Sequence, residues 1–335
     1  MSDRILLGHG GGGKLMERLI RESFLPILHN EILGRMGDSA ILEVDGIRLA
    51  FTTDSYVISP LFFPGGDIGR LAVAGTVNDL AVSGARPLYL SLGLIIEEGF
   101  PSEELDRINR SIRRTADEAG VLVVTGDTKV VNRGAADRLF INTSGIGVLQ
   151  SAVDTSGQRA RPGDRILVSG TLGDHGIAVM CCREGLEVET ALESDVAPLN
   201  GMIQDLLGFG EAVRFLRDPT RGGLASVLNE FAGATGFAVV LQENQIPVRQ
   251  EVRGVCELLG LDPLYVANEG KCVAVVAEGH AEGALQILRA HPLGREAQAI
   301  GEVAESPPGK VLLRTEIGGT RIVDALIGEQ LPRIC

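Results

Sequence analysis

The 335-residue sequence contains no tryptophan, and aromatic residues make up only 4% of it. This shortage argues against an aromatic platform that stacks nucleic-acid bases. Positive charge is also short, because 31 lysine and arginine residues face 44 aspartate and glutamate residues, a formal net charge of −13. Such an acidic chain disfavours non-specific binding to nucleic acid or to anionic membranes. Its length and its 44% of hydrophobic residues predict a well-packed protein of two domains.

Long hydrophobic runs are missing as well. The longest one, around residues 88–96, is far shorter than the ~20 residues that cross a bilayer, and the N-terminus lacks the apolar segment of a secretory signal. The five cysteines are odd in number and form no Cys-x-x-Cys pair, and the five histidines show no zinc-ligand spacing. We therefore expect a cytoplasmic protein without a disulfide framework and without a zinc site.

Strand-like and helical segments alternate along both halves of the chain, which predicts an α+β fold of two mixed domains with a cleft between them. Asp45-Gly46 is a hairpin signal, and Asp67 and Gly84 stand where the caps of a helix are expected. The apolar segment at 121–125 is expected to be a short buried strand. The predicted divisions are a glycine-rich flexible segment and helix at 1–38, an N-terminal domain at 39–155, a C-terminal α+β domain at 156–324 and a mobile tail at 325–335.

Glycine is abundant, with 44 residues, and its densest group runs from Gly8 to Gly13 and ends at Lys14. The segment formally matches a P-loop, but Leu15 stands where a Ser or Thr would bind magnesium. Two interpretations stay open. The loop can close over phosphate groups through its backbone N–H groups, with Lys14 adding positive charge. Alternatively, it is a disordered N-terminal segment.

Five aspartates stand in short polar motifs: Asp38, Asp54, Asp79, Asp127 and Asp218. Any one of them alone reads as a turn residue or a helix cap. However, Asp79 lies inside an apolar helix, and Asp54 and Asp127 stand at the carboxyl ends of predicted strands, where sites in α/β proteins gather. Carboxylate oxygens beside Ser and Thr, with few histidines, suit Mg²⁺ and a nucleotide better than zinc.

Three further residues are candidates for a functional role, and each also has an ordinary, non-functional interpretation. Lys129 and Glu269 lie near glycines in predicted strand-end loops, although a lone Lys or Glu is usually a solvated surface charge. Cys335 is the last residue of the terminal Pro-Arg-Ile-Cys. Such a tail can present its thiol to its own cleft or to a partner, and the alternative is a frayed end with an incidental cysteine.

Together these motifs resemble those of the aminoimidazole-ribonucleotide-synthetase superfamily, which also holds selenophosphate synthetase and thiamine-monophosphate kinase. The motifs occur in the family's order as Thr52–Ser55, Val77–Leu80, Gly126–Lys129, Asp218–Gly223 and Asn268–Lys271. The glycine-rich start and the terminal tetrapeptide are similar to one branch of it, the carbamoyl dehydratases that mature [NiFe]-hydrogenases. The resemblance covers essentially the whole chain.

The resemblance implies two α+β domains of this type, with ATP and Mg²⁺ in the cleft between them and an N-terminal domain that binds ATP and pairs into a homodimer. It implies ATP-dependent dehydration of an S-carbamoyl group on Cys335 to a thiocyanate, which supplies the cyanide ligand of the hydrogenase iron. The implied partners are the carbamoyltransferase HypF and the HypC–HypD scaffold complex.

The resemblance also assigns roles to residues. Cys335 is the implied carrier, Glu269 the base, and Lys129 a phosphate or proton partner. The five aspartates are the implied Mg²⁺ ligands. The implied nucleotide-binding residues are Gly10, Gly11, Gly12, Gly13, Lys14, Asn78, Thr128, Thr220, Arg221 and Gly222.

Two other functions stay open. A small-molecule kinase or synthetase of the same superfamily would have no use for a carbamoylated tail. A non-catalytic assembly scaffold, whose tail only docks a partner, would have no need of five metal-competent aspartates. A redox role for Cys335 is disfavoured, because no second cysteine is nearby in the sequence.

Overall fold

The computed structural model describes residues 4–149, 154–186, 192–326, 328, 331 and 333–335. Two β-sheets, each packed with helices, form the two halves of this described chain. The expected α+β fold of two mixed halves is therefore confirmed. None of the helices in these ranges is long and apolar enough to cross a membrane.

The first half begins with a helical segment and continues into a five-stranded sheet. Its elements are α1 (Lys14–Leu19), α2 (Leu25–Leu28), β1 (Ala40–Val44), β2 (Ile47–Tyr56), β3 (Phe62–Phe63), β4 (Gly66–Asp67), α3 (Ile68–Val82), β5 (Ala85–Glu97), α4 (Ser102–Ala119), β6 (Leu122–Val131) and β7 (Leu139–Leu149). The strand order in the sheet is β1-β2-β7-β5-β6, and β3 and β4 form a separate pair. Only β5 and β6 run parallel in the five-stranded sheet.

Local signals in this half act as the sequence predicts. Val44 pairs with Ile47 across the β1–β2 hairpin, and Asp45 and Gly46 have φ angles of 51° and 79°. Two positive φ angles are what the tightest hairpin turn requires. The Asp67 side chain accepts the backbone N–H groups of the first turn of α3. These contacts confirm the predicted hairpin and helix cap.

Strand β6 differs from its expectation. It is ten residues long rather than five, and Leu122, Val123 and Val124 are exposed. The reason is the strand order, since β6 pairs only with β5 and forms one edge of the sheet. Asp127 and Lys129, expected in a loop after a strand, consequently lie within β6 itself.

The second half holds a seven-stranded sheet of order β14-β13-β10-β12-β8-β11-β9. Its elements are β8 (Arg165–Val168), α5 (Asp174–Glu184), α6 (Asn200–Leu207), β9 (Val213–Arg217), α7 (Gly223–Thr235), β10 (Ala238–Gln242), α8 (Gln250–Leu259), β11 (Val273–Val276), α9 (Ala281–Ala290), β12 (Gln298–Ala304), β13 (Val311–Arg314) and β14 (Thr320–Ile322).

Residues 192–199, here called the strap, cross from the second half onto the first. The backbone N–H of Ser194 donates to the carbonyl oxygen of Pro64 at 2.8 Å. Asn78 of α3 accepts the backbone N–H of Leu199 at 2.8 Å. These two hydrogen bonds therefore fix the strap of the second half against the first half.

Candidate active site

Three of the five predicted metal ligands meet in one cluster. Asp38 precedes β1, Asp79 lies near the C-terminal end of α3, and Asp218 directly follows β9. One carboxylate oxygen of each lies within 4.8 Å of the other two. Because these elements belong to both halves, the cluster stands where the halves meet.

The three carboxylates are held in a setting that disfavours their charge. Removal from water raises the pKa of Asp79 well above its usual range, and the charge of Asp54 raises it further. Burial and then the charge of Asp38 raise the pKa of Asp218 to about 8. A cation among these oxygens would offset both the burial of the carboxylates and the repulsion between their charges. A donor set made only of oxygens fits a hard ion such as Mg²⁺.

Two neighbours that the sequence analysis did not select hold this cluster in place. Arg217 Nη1 donates to Asp38 Oδ1 at 2.6 Å. Thr52 Oγ1 lies 2.8 Å from Asp79 Oδ2 and 2.8 Å from the carbonyl oxygen of Asp38. Their positions beside predicted motifs were the available signal, since Arg217 directly precedes Asp218 and Thr52 opens the Thr-Thr-Asp-Ser motif.

Glu269 lies next to the cluster on the loop before β11. Its side chain is buried, and its Oε1 atom has no hydrogen-bond partner in the described part of the chain. Burial, and then the charge of Asp218, raise the pKa of Glu269 well above its usual range. Asp195 of the strap fixes this loop, because its Oδ1 accepts the backbone N–H of Glu269 at 3.1 Å and its Oδ2 pairs with Lys271 at 3.1 Å.

The loop can approach the strap this closely only because residue 270 is glycine. A Cβ atom on Gly270 would lie 1.7 Å from the carbonyl oxygen of Asp195, far inside van der Waals contact. Any side chain here would push the strap and the loop apart. The glycine in the Asn-Glu-Gly-Lys motif therefore positions Glu269.

The tail brings the terminal cysteine to the same place. Negative charge on Cys335 is the largest influence raising the pKa of Arg221, and Asp54 and Glu269 raise it too. The charges of the predicted carrier, the predicted base and Asp54 therefore all act on the guanidinium group of Arg221 within a single chain.

The described residues of the tail are docked rather than extended into solvent. Val57 N donates to the carbonyl oxygen of Cys335 at 3.1 Å, and Arg333 Nε donates to the carbonyl oxygen of Val57 at 3.0 Å. Ile334 is 3% exposed within a hydrophobic core to which both halves contribute residues. Pro332 of the terminal motif lies outside the described residues. The predicted mobility of the tail stays a prediction beside this docked position.

The glycine-rich loop packs against Arg221 and the approach to the tail. A Cβ atom on Gly12, whose φ is +75°, would lie 2.8 Å from Arg221 Cβ, and one on Gly13 would lie 2.6 Å from the carbonyl oxygen of Leu326. Gly11 is buried, whereas Gly10 borders open space. The loop therefore lies beside the Asp-Pro-Thr-Arg-Gly-Gly segment, as a phosphate-covering role requires.

The turn that carries Thr220 and Gly222 leads from β9 into α7. Gly223 N donates to the carbonyl oxygen of Thr220 at 2.9 Å, and Gly222 and Gly223 both have positive φ angles. A Cβ atom on Gly222 would lie 2.0 Å from Ser226 Oγ. The two glycines are thus required by the turn, which holds Asp218 and Arg221 on the cleft side of the sheet.

Two predicted nucleotide-binding residues are engaged with protein groups. Lys14 Nζ forms an exposed ion pair with Asp324 at 3.0 Å. The side-chain amide of Asn78 accepts from Leu199 N and donates to the carbonyl oxygen of Ala197 at 3.1 Å. Asn78 therefore holds the strap, and nucleotide binding by either residue stays a prediction.

Asp127, Thr128 and Lys129 are not brought to the cluster within one chain. Asp127 and Lys129 form an exposed ion pair at 2.7 Å, which lowers the pKa of Asp127. In the sheet register, Asp127 is aligned with Ser55 across the two intervening strands, β5 and β7. At the usual strand spacing the two residues are therefore roughly 14 Å apart. Partners across a sheet share one face, and Ser55 faces away from its neighbour Asp54. The ion pair of Asp127 and Lys129 therefore lies on the opposite face of the sheet from the carboxylate cluster.

Comparison with known proteins agrees with this architecture. Residues 36–149 match the N-terminal domain of AIR synthase related proteins, and residues 161–314 match the C-terminal domain. The carbamoyl dehydratase HypE of Cupriavidus necator is 52% identical over 335 residues, which cover 100% of this chain and 95% of the relative.

Two solved structures are similar over nearly their whole length. A crystal structure of a HypE–HypF complex superposes with a TM-score of 0.88 at 51% identity, covering 92% of this chain and 99% of that one. A crystal structure of HypE in complex with ATP gives a TM-score of 0.84 at 49% identity, covering 99% and 100%. The chain therefore belongs to the carbamoyl dehydratase HypE family of the AIR synthase related proteins.

Proposed function

We propose that the protein is an ATP-dependent carbamoyl dehydratase that acts on an S-carbamoyl group carried by its own Cys335. The observation that carries this proposal is the docked tail, in which the carbonyl oxygen of Cys335 accepts the backbone N–H of Val57, directly after β2. The charge of Cys335 also acts on Arg221 together with the charges of Asp54 and Glu269. The relatives named carbamoyl dehydratase HypE and the HypE structure with ATP support it. The product is a thiocyanate, the source of the cyanide ligand for the iron of a [NiFe]-hydrogenase.

The reaction needs two steps because an amide oxygen is a poor leaving group. In the first, the carbamoyl oxygen attacks the γ-phosphorus of ATP, ADP leaves, and nitrogen loses one proton. In the second, the C–O bond breaks, phosphate departs with the oxygen, and nitrogen loses its other proton. The sulfur stays bonded to carbon throughout, so the product is R–S–C≡N.

Glu269 has the features of the base for the proton transfers. Its Oε1 atom is buried without a partner in the described structure, so it is available to a substrate N–H group. A carboxylate whose pKa is raised above its usual range is a better base than a solvated one. Arg221 stabilises negative charge as it develops on the transferred phosphate.

Asp38, Asp79 and Asp218 are the residues that would hold Mg²⁺. Bound there, the ion supplies neutralisation of the phosphate charge during transfer. The three residues contribute a ready set of oxygen ligands from both halves, and Arg217 and Thr52 keep two of the carboxylates oriented. Asp54 contributes further negative charge beside them.

We also propose that the protein works as a homodimer that pairs through the outer face of the first sheet. An exposed apolar row runs across four strands of this face, with Phe51 40%, Ile146 40%, Tyr89 45% and Leu122 58% exposed. These side chains are successive cross-strand partners. Apolar patches of this kind mark interfaces.

The proposed dimer would place Lys129 and Asp127 in its interface. Lys129 and Asp127 share the outer face of the sheet with the apolar row, on the opposite side from their own carboxylate cluster. A second copy that covers this face would receive them. In such a dimer both residues would lie at the interface between the two chains, against the outer face of the other sheet.

Replacing Phe51 by glutamate is expected to give monomers, because it buries a charge in the middle of the proposed interface. The measurement is light scattering after size-exclusion chromatography at micromolar concentration. Ile317→Glu is the matched control, since Ile317 is 96% exposed outside the row, and it should leave the dimer intact. A monomeric wild-type protein, or a dimeric Phe51→Glu variant, would contradict the proposed interface.

The proposed partners follow from the two ends of the reaction. A carbamoyltransferase must load Cys335, and the similarity to a HypE–HypF complex supports HypF for that role. The cyano group must then leave sulfur for an acceptor that carries iron, which we propose is the HypC–HypD complex.

Intact mass spectrometry tests the function directly. The protein is loaded by the carbamoyltransferase with carbamoyl phosphate and ATP, isolated, and weighed before and after addition of Mg-ATP. We expect a gain of one carbamoyl group and then an ATP-dependent loss of one water. Cys335→Ala should gain nothing. A loaded protein that stays hydrated with ATP would favour a scaffold, and a wild-type protein that is never loaded would favour a small-molecule kinase or synthetase.

A further inference from the structure

A buried histidine contacts the tail immediately before its terminal residue. His175 lies in the first turn of α5 and is 0% exposed. Its Nε2 atom lies 2.8 Å from the carbonyl oxygen of Ile334, and its Nδ1 atom lies 2.7 Å from Ser194 Oγ. Because a carbonyl oxygen can only accept, Nε2 carries a hydrogen and donates it to the tail.

The groups around the imidazole ring of His175 allow one arrangement of its hydrogen bonds. Ser194 Oγ accepts the backbone N–H of Val196 at 3.1 Å, so its own hydrogen is available to Nδ1. Burial lowers the pKa of His175, which favours the neutral ring with its single hydrogen on Nε2. The ring of Phe63 packs edge-on at 5.5 Å between centroids. The imidazole is thus held as a fixed donor aimed at Ile334.

The same strap that holds the histidine also holds the proposed base. Ser194 contacts His175, and the next residue, Asp195, accepts the backbone N–H of Glu269. Neighbouring residues of one short segment therefore support the two groups that must meet: the tail with its terminal sulfur, and the carboxyl group.

We propose that His175 is a positioning residue, which through its hydrogen bond to Ile334 fixes the docked tail and sets Cys335 in register with Glu269. The effect on catalysis rests on the proposed function, whereas the effect on docking does not. Arg183 assists from the same helix, because its Nη2 atom donates to the carbonyl oxygen of Arg333 at 2.8 Å.

The test measures how readily the Cys335 thiol reacts with iodoacetamide in the full-length protein, without ATP or any partner. Peptide mass spectrometry follows Cys335, and the exposed Cys182 of the same chain is the internal reference. His175→Leu should raise the relative rate at Cys335 about tenfold, the shift in equilibrium that one ordinary buried hydrogen bond gives. His280→Leu, at an exposed histidine, is the matched control and should change nothing.

Conservative variants separate positioning from packing. His175→Gln should return the rate close to that of the wild type, since its amide nitrogen can donate from nearly the position of Nε2. Ser194→Ala should raise the rate about threefold, because Nδ1 loses its donor and the Nε2–H form is favoured less. If His175→Leu fails to fold, Ser194→Ala decides the question alone.

Three results would overturn the proposal: a wild-type rate in folded His175→Leu, a His175→Gln variant as reactive as His175→Leu, or a wild-type rate in Ser194→Ala. In the loaded protein, His175→Leu should also slow water loss about tenfold with an unchanged KM for ATP. A wild-type protein that loses no water would refute the proposed function, and the alkylation rates would still decide the role of His175.

Discussion

Glu269→Gln is expected to slow the ATP-dependent loss of water from the carbamoylated protein by about 10²–10⁴-fold, the usual contribution of a positioned general base. The amide keeps the size of the side chain but cannot take a proton from nitrogen. Loading of Cys335 should be unchanged, because in the proposed function that step belongs to the carbamoyltransferase. Single-turnover mass spectrometry of the isolated adduct measures the rate.

The pH dependence gives this prediction a second measurement. Burial and Asp218 raise the pKa of Glu269 well above the ordinary 4.5, so the wild-type rate should fall on acidification at a pH well above 4.5. The rate of the Glu269→Gln variant should not show this fall at acidic pH. Glu305→Gln, at an exposed position, is the control. It should keep both the wild-type rate and its fall at acidic pH. Undiminished water loss in Glu269→Gln would remove Glu269 from the role of base.

Asp79→Asn is expected to stabilise the metal-free protein while it lowers the rate of water loss by on the order of 10²–10³-fold, a cost typical of losing one group that stabilises transition-state charge. The raised pKa of Asp79 means that the folded protein holds its proton more tightly than the unfolded chain does. Stability is therefore lost as pH rises through the raised pKa. A neutral amide removes this penalty and can still accept from Thr52.

Thermal unfolding at pH 5.5 and pH 8, with and without Mg²⁺, measures the stability effect. At pH 8 without Mg²⁺ we expect Asp79→Asn to unfold about 2–4 °C above the wild type, which corresponds to about 1 kcal/mol for a domain of this size. Mg²⁺ should stabilise the wild type more at pH 8 than at pH 5.5. It should also stabilise the Asp79→Asn variant less than it stabilises the wild type. Asp106→Asn on the exposed face of α4 should change nothing. Equal responses of the wild type and Asp79→Asn to Mg²⁺ would exclude Asp79 as a ligand.

Local signals in the sequence were enough for much of the fold. The Asp45-Gly46 hairpin and the cap at Asp67 depend on residues a few positions apart, and both are confirmed. The gathering of Asp38, Asp79 and Asp218 could be anticipated from motif chemistry.

The rest depends on contacts between distant positions. The side of the sheet that Asp127 and Lys129 face follows from the strand order β1-β2-β7-β5-β6, which no local pattern contains. The five histidines show no zinc-ligand spacing, and the partner of His175 in the tail is 159 positions away. Buried polar groups of this kind are selected by tertiary contacts, and the sequence offers only the neighbouring Gly173-Asp174 turn as a hint.

The contact between the glycine-rich loop and the tail sets a tether length. Lys14 N donates to the carbonyl oxygen of Leu326 at 2.8 Å, so an end of the chain released from its docked position would be anchored nine residues before Cys335. Nine residues reach at most roughly 30 Å when fully extended. Any enzyme that modifies the terminal sulfur must bring its catalytic centre inside this radius. It must therefore approach the face that carries Lys14 and Asp324 rather than meet a freely ranging tail.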